Sequence, residues 1–174
     1  MAHAPTDIPS AWVERFAALV PAGGTVLDVA AGGGRHSRLF RRLGHPVVAL
    51  DRDITGMAAL ATDPEAEIVS VDLEDGSPWP YRGEHFAGVV VTNYLWRPLL
   101  PDLIASVGPG GVLIYETFAL GNERFGKPSN PDFLLRPGEL LDAVRGDLRI
   151  IAYEDVEVTQ PKPAMVQRIA AVRG

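Results

Sequence analysis

The chain has 174 residues, 47% of them apolar and 22% charged, with a formal net charge of −6. That length suits one domain able to bury about 70% of the surface its unfolded chain exposes, and the composition excludes a natively disordered chain. Having no cysteine, the chain has no disulfide, thiolate metal site or cysteine nucleophile.

The acidic balance argues against a nucleic-acid partner, which needs a basic stripe to gain from counterion release. Lys127 and Lys162 are the only lysines. Arg35, Arg38, Arg41 and Arg42 recur at helical spacing and read as a solvated helix face, the last two near a negative helix end. Residues 1–10 lack a basic segment followed by an apolar one, and no apolar run approaches the roughly 20 residues of a membrane span. A cytoplasmic protein without membrane contact is expected.

In chain order, a first helix is predicted over 8–20, within an N-terminal helical segment 1–23. Trp12, Phe16, Leu19 and Val20 share one face, and Pro21-Ala22-Gly23-Gly24 ends it. Strands follow at 25–29, 46–50, 67–71, 86–92 and 111–115, alternating with helices near 35–43, 54–61 and 99–107. This is the pattern of an α/β domain with a mainly parallel sheet. The continuous runs Val89-Val90-Val91 and Val112-Leu113-Ile114 suit strands covered on both faces. Residues 117–136 show neither period and contain Gly121, Gly126, Pro128 and Pro131. Loops longer than about 12 to 15 residues are commonly lids or linkers, and Phe118, Phe125 and Phe133 favour a packed lid. A helix over 137–144 leads to strands at 148–158 and 164–172, an antiparallel pair joined by Gln160-Pro161-Lys162-Pro163. One domain over 1–174 accounts for the whole pattern.

Ligands of open α/β sheets lie outside the carboxyl ends of the strands. The residues there are Asp28, within Val26-Leu27-Asp28-Val29-Ala30-Ala31-Gly32-Gly33-Gly34, then Asp51, Asp72, Asn93-Tyr94 and Glu116. The glycine run lets backbone approach a ligand that a Cβ would exclude. Asp51 follows it by roughly the 20 residues at which an acid takes a ribose hydroxyl pair, which points to an adenosine-type cofactor. Charge selects among these. A dinucleotide sets its diphosphate on the glycine turn, where Asp28 repels it; at an effective dielectric near 20, unit charges about 6 Å apart interact by roughly 3 kcal/mol. S-adenosylmethionine brings a sulfonium and an ammonium, which Asp28 attracts. Ser37 also stands where the dinucleotide fingerprint has its third glycine or alanine.

The segment from Asp28 to Gly34 resembles motif I of the class I S-adenosylmethionine-dependent methyltransferases, Asp-x-Gly-x-Gly-x-Gly, with Ala30 replacing the first glycine. That departure is tolerable if position 30 needs a small side chain and not a positive φ. The likeness runs over nearly the whole chain as a series of strand-end motifs, and the overall pattern resembles the small single-domain tellurite-resistance-type methyltransferases, whose substrates are diverse. It implies a Rossmann-like, doubly wound, mainly parallel seven-stranded sheet with an antiparallel C-terminal strand, in a three-layer αβα sandwich. It also implies that Ala30, Gly32 and Gly34 line the methionine moiety and that Asp28 helps place its amino group. Asp51, with Arg52 beside it, holds the ribose. Asp72 bonds the adenine amino group, Leu73 packs beside the base, and Asn93 lies near the sulfonium. Tyr94 faces the acceptor, and the product is S-adenosylhomocysteine.

Methyl transfer depends chiefly on holding the nucleophile in position. Where the acceptor needs deprotonation, Glu116, Tyr94 and His36 are the candidate bases, Glu116 first. Tyr94, Arg97, Asn122, Arg124 and Arg136, in or beside 117–136, are the candidate acceptor-binding residues; several of the cations pointing inward would favour an oxyanion-bearing small molecule, and salt bridges to surface acids explain them equally well. Other uses of these side chains stay open: Asp51 and Asp72 suit helix or turn caps, and Glu116 suits a structural pair with an arginine. Two other functions also stand, an NAD-type oxidoreductase and a protein that binds S-adenosylmethionine without turnover. His3, His36, His45 and His85 form no ligand-spaced cluster, so no metal is expected. Acceptor identity and oligomeric state are left open.

Overall fold

Seven strands, β1 (Val26–Val29), β2 (Val47–Asp51), β3 (Ala66–Ser70), β4 (Phe86–Thr92), β5 (Val107–Phe118), β6 (Arg149–Val158) and β7 (Ala164–Val172), form one sheet in the order β3-β2-β1-β4-β5-β7-β6. The structure, a computed structural model, describes residues 7–174; His3 lies outside them. Strands β1 to β5 pair in parallel, and β7 runs antiparallel to β5 and β6. The order reverses between β1 and β4, which opens a crevice at their carboxyl ends.

Two cores form because side chains alternate across each strand. On one face Leu27, Val29, Val89, Val91, Leu113 and Tyr115 pack against α3 (Leu100–Ala105) and α4 (Glu139–Val144) through Leu103 and Leu140. On the other, Val26, Val90, Val112 and Ile114 meet α1 (Ala11–Phe16) and α2 (Arg35–Arg42) through Trp12, Phe16 and Phe40. This two-sided burial is what the unbroken apolar runs encode, and it gives the expected three-layer αβα arrangement. The Ser10 hydroxyl starts α1 by accepting from the amides of Trp12 and Val13, a cap worth about 1 kcal/mol. Arg41 and Arg42 end α2, where the helix dipole favours cations. No helix among the described residues is long and apolar enough to cross a membrane.

Several elements differ from their sequence expectation. The first helix is α-helical only over Ala11–Phe16, and a 3-10 turn, Ala17–Leu19, completes it. In place of a helix over 54–61 stand two 3-10 turns, Thr55–Met57 and Leu60–Thr62. Asp53 turns the chain there by accepting from both the amide and the hydroxyl of Thr55. Gly56 packs so closely on the glycine run that a Cβ would lie 3.2 Å from the Gly33 Cα. The helix placed at 99–107 ends at Ala105, since Val107 already pairs with Phe86 in the sheet. Strand β5 outruns the expected 111–115 because β7 supplies ladder partners as far as Phe118. Residues 117–136 are consequently tied down at both ends: Ala119 bridges Leu135, and Leu134 and Leu135 are buried.

Candidate functional site

Among the described residues two that are not glycine adopt the left-handed backbone conformation, Ala30 (φ 55°) and Asn93 (φ 54°), and they follow the adjacent strands β1 and β4. The condition for tolerating alanine at position 30, that no positive φ is needed there, is not met: the chain turns left-handed, and alanine accepts a conformation that costs an L-residue roughly 1–2 kcal/mol. The turns so made send the Ala31 amide to the Leu50 carbonyl at 2.8 Å and the Asn93 amide to the Glu116 carbonyl at 2.9 Å. Gly32 and Asn93 are left exposed on either side of the crevice. Such strain collects at functional sites, where the surrounding fold enforces it.

The glycines of the turn have separate reasons. A Cβ on Gly32 (φ 57°) would meet nothing, so its open side is free for a ligand. On Gly34 (φ 79°) it would come within 2.6 Å of Leu60 and 3.1 Å of Met57, so protein side chains, not ligand, fill that space. Asp51, half-buried, accepts from the Gly32 amide at 2.8 Å with one oxygen and from the Asp53 amide with the other; Arg52 beside it is exposed. Asp72 is exposed just past β3 and accepts from the Glu74 amide, the turn-capping use that the sequence left open. With Leu73, Ser77, Trp79, Pro80 and Leu99 it lines a cavity of about 170 Å³.

Asp28 lies one layer below. Only 1% exposed, it accepts from the Ser37 hydroxyl at 2.6 Å on the α2 face of β1. Burial pushes its carboxyl up to about 6 against the lowering effect of Ser37, and Asp51 is close enough to add to the rise. Its charge is therefore felt through the glycine turn and not by contact at the surface.

The candidate bases all have partners. His36 is buried at 2% exposure, and its Nε2 accepts from the Ser10 amide at 2.9 Å. That bond places the ring proton on Nδ1, which lies 3.4 Å from the Thr92 hydroxyl. Burial, with Arg35 nearby, depresses the imidazole to about 3. Its lone pair is thus occupied, and it serves to hold residue 10 against the strand ends. Glu116 accepts from the Ser10 hydroxyl at 2.7 Å and from Arg168 at 3.0 Å, the structural pairing that stood as its other reading. The Tyr94 hydroxyl donates to Glu74 at 3.3 Å, which links the ends of β4 and β3. Burial, then Glu74, Asp72 and Asp51, raise it above the ordinary phenol range, so it is a donor at neutral pH.

The cations assigned to the acceptor are also engaged. Arg97 donates to both Glu139 oxygens and to the carbonyls of Asp132 and Leu134, which makes it the clamp of the 117–136 segment. Asn122, 2% exposed, joins the Pro128 carbonyl to the Met165 amide. Arg124 stacks on Phe125 and lies 3.9 Å from Glu157, and Arg136 lies 3.6 Å from Glu139. The residues missed from sequence are the partners: Ser37 for Asp28, Glu74 for Tyr94, and Ser10 with Arg168 for Glu116. Ser37 alone carried a local signal, a hydroxyl on the buried face of the first helical turn after the glycines.

No family model matches the chain, and no curated protein matches it. Among solved structures it is similar to TehB from Haemophilus influenzae (TM-score 0.70, 18% identity, 94% of this chain and 61% of that one). It is likewise similar to a putative S-adenosylmethionine-dependent methyltransferase from Listeria monocytogenes (0.70, 13%, 94% and 98%). A third similar structure is the 1,6-didemethyltoxoflavin-N1-methyltransferase of Burkholderia thailandensis, with 1,6-didemethyltoxoflavin and S-adenosylhomocysteine bound (0.67, 19%, 94% and 78%). The chain has the class I methyltransferase fold. It spans about three fifths of the length of TehB.

Proposed function

We propose that the protein is an S-adenosylmethionine-dependent methyltransferase acting on a small-molecule acceptor in the cytoplasm. One observation carries the reading: Asp72 and Asp51 stand at the ends of β3 and β2, Asp28 lies beneath the glycine turn one residue short of the end of the adjoining β1, and that row stops at the strained crevice beside Asn93. Strands about 4.8 Å apart spread the row over roughly 10 Å, a span that suits a base, a ribose and an amino-acid moiety laid side by side. The cavity at Asp72 and Leu73 would take the base, Asp51 with Arg52 beside it the ribose, and the turn of Ala30, Gly32 and Gly34 the cationic methionine end above Asp28. S-adenosylmethionine supplies, when bound, a methyl group on a sulfonium leaving group. Asn93 borders that end, and Tyr94 and the 117–136 segment border the acceptor.

The same residues disfavour the oxidoreductase reading. A diphosphate seeks the amide of Gly32, and here a carboxylate already occupies it. Because Tyr94 stays protonated and His36 and Glu116 are engaged, the chain contributes placement and exclusion of water in preference to proton removal, a division of labour adequate for an acceptor that brings its own nucleophilic lone pair. The resemblance to methyltransferase structures supports this reading without identifying the acceptor.

The test is transfer of a labelled methyl group to a panel of small acceptors, with Asp51→Ala as control. Label appearing on an acceptor, and much reduced with the variant, is the expected result. Tight donor binding with no transfer to any acceptor would favour the non-catalytic reading.

A further inference from the structure

The chain has 16 basic residues, of which only Lys127 and Lys162 are lysines. The arginines mostly brace the fold: Arg41 holds Asp63 and a carbonyl, Arg97 the 117–136 segment, Arg168 two glutamates, and Arg173 two carbonyls. The two lysines lie 35 positions apart in sequence and nevertheless line one cavity of about 140 Å³. Phe118, Phe125, Pro163 and Ala164 supply its apolar wall. No aspartate or glutamate lines it, although acidic residues outnumber basic ones 22 to 16 in the chain. Lys127 enters none of the ion pairs among the described residues.

The two walls are held in fixed relation. Buried Asn122 spans them, donating to the Pro128 carbonyl beside Lys127 and accepting from the Met165 amide beside Ala164. A ligand entering such a site loses little to ordering the protein. The volume is room for one six-membered ring in a site open to solvent, since Phe125 and Pro163 of its wall are exposed. Lysine suits an oxyanion at the mouth: its ammonium is a compact charge on a flexible stem, able to follow either a carboxylate or a phosphate, where the planar guanidinium demands a fixed fork.

We propose that the cavity between residues 118–127 and the turn before β7 is a binding site for a small organic oxyanion, a carboxylate or phosphate monoester carrying one ring-sized apolar group, with Lys127 and Lys162 as its cationic contacts. The site does not depend on the methyl-transfer reading and is tested without a methyl donor.

Calorimetry and ligand-detected NMR on the full chain, with benzoate, phenyl phosphate, benzyl alcohol and benzylamine as probes, decide the matter. Saturable binding of at least one anion is expected, with benzyl alcohol at least about tenfold weaker and no binding of benzylamine. Lys127→Gln and Lys162→Gln should each weaken the bound anion about tenfold, and Lys127→Gln should leave the melting temperature unchanged. Benzoate binding without phenyl phosphate assigns a carboxylate, and the reverse assigns a phosphate. Absence of binding by both anions, equal binding of benzyl alcohol, or undiminished affinity in the double variant would overturn the proposal.

Discussion

The Asp51 carboxylate accepts from the Gly32 amide at 2.8 Å, which fastens the end of β2 to the turn that follows β1. One side chain thereby shapes the glycine turn and sets a carboxylate on its Gly32 amide. Asp51→Ala is expected to raise the dissociation constant of S-adenosylhomocysteine by about 30- to 100-fold, the loss of about one hydrogen bond to a charged group. Asp51→Asn retains an acceptor for Gly32 and should lose less. Unchanged affinity in the alanine variant, read by calorimetry, would remove Asp51 from the site.

If the cofactor's cationic end sits above Asp28, binding should depend on pH. Its folded carboxyl sits near 6, above the ordinary 3.8, because burial disfavours its charge. Between those values the folded state holds more protons than the unfolded one, so stability falls as pH rises through this window, by about 3 kcal/mol in all. A cation seated above the turn favours the ionised form. Donor binding near pH 6 should therefore release protons, visible as a buffer-dependent heat, and affinity should weaken below pH 6. Asp28→Asn should bind the donor less tightly while remaining as stable at pH 7.5 as the parent. A variant that instead loses stability and keeps its affinity would reverse the assignment.

His36 acts in the opposite sense. Its imidazole is held near 3 against an ordinary 6.5, so the unfolded chain takes up a proton that the folded one refuses. Stability present above pH 6.5 is lost as pH falls toward 3, on the order of 5 kcal/mol. Asp28 offsets part of this between about pH 4 and 6. Urea unfolding should show a steeper acid loss in Asp28→Asn and a shallower one in His36→Gln. Identical pH profiles for the parent and His36→Gln would contradict the buried neutral ring.

Gly34 and Gly32 should separate folding from binding. Gly34→Ala combines a positive φ with contacts at 2.6 and 3.1 Å, and strain together with overpacking costs about 2–4 kcal/mol. Gly32→Ala carries strain without a clash, so it should cost only about 1–2 kcal/mol while weakening donor binding. Equal melting temperatures for the two variants would show that Leu60 and Met57 yield freely.

What could be read in the sequence was whatever local pattern controls. Val89-Val90-Val91 encodes a strand buried on both faces, and Asp28, Asp51, Asp72 and Asn93 stand out as polar residues at or near the strand ends. Local pattern did not reveal that position 30 turns left-handed, since alanine ordinarily avoids that region. Residues 54–61 show apolar spacing like a helix, yet the Asp53 turn and the close seat of Gly56 replace it with 3-10 turns. The partners of the candidate bases were out of reach for another reason. Ser10 and Glu116 are 106 positions apart and Arg168 and Glu116 are 52 apart, so only the folded sheet brings them together. Arg97 looked available for an acceptor for the same reason, its partner Glu139 being 42 residues away.

The most direct test compares two ligands on the same purified chain at pH 7.5. Titration calorimetry should detect saturable binding of S-adenosylhomocysteine and no heat with NAD, as an acid-lined strand edge requires. Saturable NAD binding with none of S-adenosylhomocysteine would contradict the account at its centre.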